Sequence, residues 1–425
     1  MSDLSGLPYS ELAFDRDAAP VDPGQGEAIV AAVGAPTGPT DLVVLAHGWN
    51  DDVDDARALY ARFCAVLAPA LAASSVLPAQ RVACVGVLWP SRRFGDGSPT
   101  GPDAPAAVHA QLHAQLAALE ALTGTRLAAA HAAVPHLRSS ATARGAFVAD
   151  ALGALPATAT DEEAQPAHVI ALSGDPHFLA RLGTPPERDP AAIARLSIDG
   201  WWSNIEAGAL DLLNYTTYYV MKDRSGRIGH DGLAPVLARL RAAAPAARLH
   251  LVGHSFGARL VTAAAAGAIA ARIDSLSLLQ AAFSHYAFAR GWDDGATRNG
   301  FFRAVVAPPV PAVRGTTLVT HTRNDRVVGV AYAIASRVAG QIASAIGDAH
   351  DPYGGLGSNG ALKTPEAVDL RLADDGAPYA FQPGTVYNLD ADGIPGAPGV
   401  IANHGDVCRP EVAHAVAEAV RAAGG

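Results

Sequence analysis

The strongest constraint on how this chain folds is a series of short strand-like runs, several of them continuously apolar, with helical sequence between them. The runs are "DLVVLAHG" from Asp41, "RVACVGVLWP" from Arg81, "RLHLVGHS" from Arg248, "SLSLLQAAF" from Ser275, "TTLVTHT" from Thr316 and "TVYNLDAD" from Thr385, with "SELAFD" near Ser10 and "EAIVAAV" near Glu27 as further strand candidates. A strand with one wet face alternates apolar and polar residues, whereas an unbroken apolar run marks a strand buried on both faces. Strands of that kind alternating with helices make an α/β fold, a mostly parallel sheet flanked by helices. At 425 residues the chain has room for one large α/β domain with insertions, or for two ordinary domains.

Half the residues are hydrophobic and the mean hydropathy is +0.16, enough for a sizeable core. No apolar run approaches the roughly 18 residues that a spanning helix needs, so no membrane span is expected. A net charge of −10 without a long basic run argues against a nucleic-acid surface. The opening "MSDLSGLPYSELAFDRDAAP" lacks the charged-then-apolar pattern of a secretory leader. Cys64, Cys84 and Cys408 are odd in number and show no CxxC spacing. They read as small hydrophobes in a reducing compartment, and the expected location is cytoplasmic.

Two regions break the strand–helix rhythm. From about Ser91 to Gly200, proline- and glycine-punctuated sequence surrounds the alanine-rich helical stretch "AAVHAQLHAQLAALEALTG". That is too long for a connection and too structured for a linker. The expected organisation is therefore a core from 1–90, a large helical cap insertion over 91–200, and the rest of the core over 201–425. The second region, "GDAHDPYGGLGSNGALKTPEAVDLRLADDGAP", is a glycine-rich excursion between the last two expected strands.

The most informative short stretch is "LHLVGHSFGARL", where an apolar run ends in Gly253-His254-Ser255-Phe256-Gly257 and an alanine-rich helix follows. A serine lifted above a sheet on a tight strand-to-helix turn crowds its neighbours, and glycines two residues before and after relieve that crowding. The helix start then points free N–H groups and a positive dipole end at the serine. On these residues the chain resembles the α/β-hydrolase family, particularly its serine esterase and lipase-like members, from about Asp41 to the end with the cap left out. The resemblance implies an α/β-hydrolase fold, a nucleophile at Ser255, and a serine–acid–histidine order along the chain.

Asp325 in "TTLVTHTRNDRVVG" lies just after a strand run, where the family's acid commonly sits; Asp293 and Asp294, one strand earlier, are the rivals. Asp325 could also simply cap the next helix or pair with Arg323 or Arg326. His404 in "VIANHGDVCRP" occupies a loop ahead of the last helix and suits the base, whereas His414 on that helix is less well placed. The implied oxyanion donors are the N–H of Phe256 and the N–H of Trp49 after the His47-Gly48 turn, with Asn50 as the neighbouring alternative. Trp89 and Trp292 also follow strand ends and are candidate walls of an apolar substrate pocket. Trp201 and Trp202 mark the return from the cap. Asp51, Asp52, Asp54 and Asp55 begin a helix and read as caps, not as a metal site.

The expected activity is thus hydrolysis of a small-molecule carboxylic ester through an acyl-enzyme, with no cofactor and no metal. The same triad also serves thioesterases, amidases, peptidases and acyltransferases, and a non-catalytic binding scaffold on this fold is the alternative of a different class.

Overall fold

The computed structural model describes residues 2–49, 51–73, 81–91, 104–156, 177–183, 198–293, 295–325, 354–374, 376–392 and 399–424. The chain divides into two compact units, one formed by Met1–Arg92, Arg224–Val330 and Gly347–Gly425, the other by Arg93–Asp223 with Ala331–Ile346.

The first unit is an α/β layer structure around one sheet. Its strands are β1 (Ser2–Leu4), β2 (Leu7–Ala13), β3 (Asp41–Ala46), β4 (Val82–Leu88), β5 (Arg248–His254), β6 (Ile273–Leu279), β7 (Val313–His321), β8 (Ala367–Arg371) and β9 (Val386–Asp390). They lie in the order β1-β2-β4-β3-β5-β6-β7-β9-β8, and every neighbouring pair is parallel except the short β1–β2 hairpin. The apolar β3 is buried throughout, as its composition demands, and so is β6 with Asp274, Ser275 and Ser277 included.

"EAIVAAV" is not a strand. It forms the body of helix α1 (Pro23–Gly34), started by Asp22, whose carboxylate accepts the Gly24 N–H, and by Pro23 in the first turn. Ile29 and Val33, four residues apart, bury one stripe of that helix, so its period is helical. Strand β8 was not expected within the glycine-rich excursion either. Its residues Val368, Asp369, Leu370 and Arg371 are all exposed at the sheet edge, so burial leaves no pattern in its sequence.

Helix α2 (Val53–Ala72) and the C-terminal helix Pro410–Ala422 cover one face of the sheet. Leu59, Phe63 and Leu67 of the former and Val412, Val416 and Val420 of the latter share a core with Val43, Leu45, Val252, Leu279 and Leu318. Asp52 caps α2 by accepting the N–H groups of Asp54 and Asp55, and Asp55 closes a capping box. The acidic run therefore starts a helix.

Two buried carboxylates secure the N-terminal ends of the strands. Asp41 accepts a bidentate pair from Arg248 at 2.6 and 2.7 Å and a third bond from His250 at 3.0 Å. Asp274 accepts from Arg241 at 2.8 Å, from Arg314 at 2.7 Å and from the Leu249 N–H at 2.9 Å. Together they tie β3, β5, β6 and β7 in register at the end opposite the serine.

Among its described residues the second unit contains helices and turns and no strand. Ala104–Thr123, Ala141–Gly153 and most of Ile198–Arg227 are its longer helices. Leu112, Leu116, Leu119, Leu137 and Phe147 are fully buried within it, and Arg138 grips Glu206 in a bidentate pair at 2.8 and 2.7 Å. Among the described residues no helix is long and apolar enough to cross a membrane.

Candidate active site

Parallel pairing decides which loops meet. Ala46 of β3 pairs with Gly253 of β5, so His47-Gly48 runs beside His254-Ser255 as both strands end. On the other side His254 pairs with Leu279 of β6, and Leu279 with Thr320 of β7. Four strands thus deliver their C-terminal loops to one place, where open α/β sheets bind ligands.

Ser255 sits between β5 and the helix Phe256–Gly267 with φ +57 and ψ −122, backbone angles that L-residues rarely adopt. The turn is held by main-chain bonds: the Ser255 N–H donates to Leu279 O at 3.0 Å, and the Ser255 carbonyl accepts from Ala258 at 3.1 Å and Ala282 at 3.2 Å. The flanking glycines answer to close approach. A Cβ on Gly253 would lie 2.4 Å from Gly257 O, and one on Gly257 2.2 Å from Ala46 O.

Asp325 and His404, 79 residues apart, are brought together. The imidazole Nδ1–H donates to Asp325 Oδ2 at 2.7 Å, with the Asp325 side chain fully buried and that of His404 13% exposed. A carboxylate only accepts, so the proton sits on Nδ1 and leaves Nε2 as the basic atom. Among the described residues no hydrogen bond joins Ser255 Oγ to His404; the base loop meets the elbow through His254. The His254 Nε2–H donates to the His404 carbonyl at 2.9 Å, and the two rings lie 4.9 Å apart. Burial, and then the neighbouring His404 imidazole, push His254 down to about 4, so it is neutral at pH 7 and unsuited to act as the base.

The rival acid Asp293 is a loop cap. Its carboxylate accepts from the Arg298 N–H at 2.6 Å and from the Thr297 N–H and hydroxyl at 2.7 Å each. These bonds, that of Arg298 foremost, hold it below the usual carboxylate range. Asp294, Asn50 and Arg326 lie outside the described residues, as do the side chains of Trp201 and Trp202. His414 faces elsewhere, donating to Ala377 O at 2.6 Å.

Trp49 and Phe256 are neighbours, their rings 5.8 Å apart. The turn carrying Trp49 is braced from below. His47 is buried; its N–H donates to the Tyr60 hydroxyl at 3.0 Å, and Tyr60 in turn donates to Val87 O. Trp89 donates its main-chain N–H to His47 Nε2 at 3.3 Å and its indole N–H to His47 O at 3.1 Å, with its ring stacked on the imidazole. Trp89, expected as a pocket wall, is here a buried brace of the His-Gly-Trp turn. Trp292 stacks on Tyr286 at 6.0 Å with Arg298 over its ring at 4.7 Å, while Lys363 donates to its carbonyl at 2.7 Å. The indole expected to line the pocket is therefore engaged in pinning its own loop.

Sequence reasoning passed over Gln280. It follows β6 directly, has φ +45, is fully buried, and donates its amide to Asp325 Oδ2 at 3.2 Å. The available signal was an amide side chain directly after the Leu278-Leu279 end of the strand run in "SLSLLQAAF". Among the described residues, no group of three or more His, Cys, Asp or Glu side chains is arranged to hold a metal ion.

Comparison with known proteins adds no name to this arrangement: no family model, no curated protein and no solved structure matches the chain.

Proposed function

We propose that this chain is a serine hydrolase of the α/β-hydrolase type, cleaving carboxylic esters with an apolar acyl or alkyl group in the cytoplasm, and that its helical unit serves as the cap. The observation that carries the proposal is the 2.7 Å bond from His404 Nδ1 to the buried carboxylate of Asp325, in a loop tethered to the strained turn bearing Ser255. A structural ion pair would require no serine at φ +57 between two glycines beside it.

In this reading Ser255 Oγ attacks the ester carbonyl while His404 Nε2 accepts its proton. Asp325 keeps the imidazole in the Nδ1–H form and stabilises the imidazolium without taking the proton itself. The tetrahedral oxyanion is received by the N–H groups of Trp49 and Phe256; the loss of one such donor typically costs about 10²–10³-fold in kcat. His404 returns the proton to the departing alcohol, leaving an acyl ester on Ser255. Water activated by the same histidine then repeats the sequence and releases the acid. Each group is used twice, and no cofactor enters.

The test is labelling with a fluorophosphonate, followed by mass spectrometry of the modified peptide. Stoichiometric modification of Ser255, abolished in Ser255→Ala and strongly slowed in His404→Ala, is the expected result. Folded wild-type protein that takes up no label would refute the assignment and favour a binding scaffold.

A further inference from the structure

Asp325 faces a problem that its role does not remove. A carboxylate with a fully buried side chain needs donors for its lone pairs, and one of its oxygens already serves His404. If the donor came with a positive charge, it would quench the field that the imidazolium needs. What serves it is a neutral donor that restrains its rotation without adding charge.

Gln280 meets both demands. Its Nε2 donates to Asp325 Oδ2 at 3.2 Å, the same oxygen that accepts from His404, and to Gly357 O at 3.1 Å. Its Oε1 accepts from the Thr320 hydroxyl at 3.0 Å, and its own main-chain N–H donates back to Thr320 Oγ1 at 3.1 Å. This pattern fixes the direction of the amide. Flipped, Oε1 would face a carboxylate and a carbonyl, two acceptors with no proton between them. All three groups sit at the ends of buried segments: Thr320 ends the run of β7 that leads to Asp325, and Gly357 also accepts the Thr322 N–H at 3.0 Å. The positive φ at Gln280, sterically unfavourable for a residue with a Cβ, is what turns its side chain back across the strand ends.

We infer that Gln280 is a positioning residue for the acid–base pair, holding the Asp325 carboxylate in the rotamer that orients His404. The inference rests on the hydrolase reading for its effect on rate. Its structural content, that Gln280 controls the Asp325–His404 hydrogen bond, is measurable without any turnover.

The experiment compares Gln280→Met, similar in size and lacking the amide, with wild type in the full chain. Two readouts are taken: kcat and KM on an ester substrate, and the far-downfield proton resonance of the His404 Nδ1–H, assigned by its loss in Asp325→Asn. The expected result is a fall in kcat of roughly tenfold or more, KM within about twofold, and a displaced or broadened resonance. A folded Gln280→Met with wild-type kcat and an unmoved resonance would overturn the inference. If that variant does not fold, Thr320→Val and Thr320→Ser decide. The serine keeps the hydroxyl that orients the amide and should match wild type; the valine should reproduce the defect, and equal behaviour of the two would overturn the inference. If wild type hydrolyses no ester, the resonance alone decides: movement in Gln280→Met sustains the role of Gln280 even as the hydrolase reading fails.

Discussion

The turn at Ser255 stores strain, and two substitutions at one position measure it. At φ +57 and ψ −122 a residue with a Cβ is held in a sparsely populated region, at a cost of about 1–3 kcal/mol. Ser255→Ala removes the hydroxyl and keeps the Cβ, so the strain remains. Ser255→Gly removes both, and glycine adopts positive φ without penalty, although its looser unfolded chain returns roughly 0.5–1 kcal/mol. The difference between the two variants isolates the backbone term, because both lose the same hydroxyl from a site only 6% exposed. Subtracting the two estimates leaves the glycine variant more stable than the alanine variant by about 0–2.5 kcal/mol. For domains of this size 1 kcal/mol corresponds to about 2–4 °C in Tm. Urea unfolding, compared at equal m-values, is the assay, with fluorophosphonate uptake confirming that neither variant reacts. A glycine variant less stable than the alanine variant by the full glycine cost of about 0.5–1 kcal/mol would show that the turn is relaxed and that no strain marks Ser255 as a nucleophile.

Three further outcomes follow from the geometry. Gly48→Ala places a Cβ 2.9 Å from Ser255 Cβ and 3.4 Å from Ser255 Oγ, so something must shift; ester turnover should drop about 100-fold with little change in Tm, and unchanged turnover would contradict the packing described. Arg248→Leu leaves the buried Asp41 carboxylate without its bidentate partner and should destabilise the protein by about 3–5 kcal/mol, read as a lower urea midpoint. His254 titrates at about 4 when folded against roughly 6.5 when unfolded. Its stabilising effect is therefore complete above pH 6.5 and is lost as the pH falls toward 4, since the unfolded chain takes up the proton first. Stability plotted against pH should be flatter across that window in His254→Gln, and an unaltered slope would show that His254 is not held neutral.

What could be read in advance was governed by burial. β3, β4, β5, β6 and β7 are buried along most of their length and are rich in apolar residues, so they were legible, and with them the loops bearing Ser255 and Asp325. β8 is exposed and leaves no such trace, while α1 passed for a strand because its alanine-rich body masks a stripe of only a few buried residues. Asp325 and His404 were named as partners through the serine–acid–histidine order that the α/β-hydrolase resemblance implies. The supports of that pair were not. Gln280 acts through Thr320 and Gly357, 40 and 77 residues away, and only strand register makes them neighbours. The bracing role of Trp89 was hidden for the same reason: its place at a strand end was visible, but its bonds to His47 depend on how β3 lies against β4.

The bond from His254 to His404 has one more consequence, because it ends on a carbonyl. A main-chain acceptor is the same whatever side chain it carries, so the loop keeps its anchorage when residue 404 is replaced. Position 404 is in effect an interchangeable socket. A carboxylate, an amine or a thiol introduced there would be delivered to the same spot above the elbow, and the differences in reactivity among such replacements would report the chemistry of the group itself.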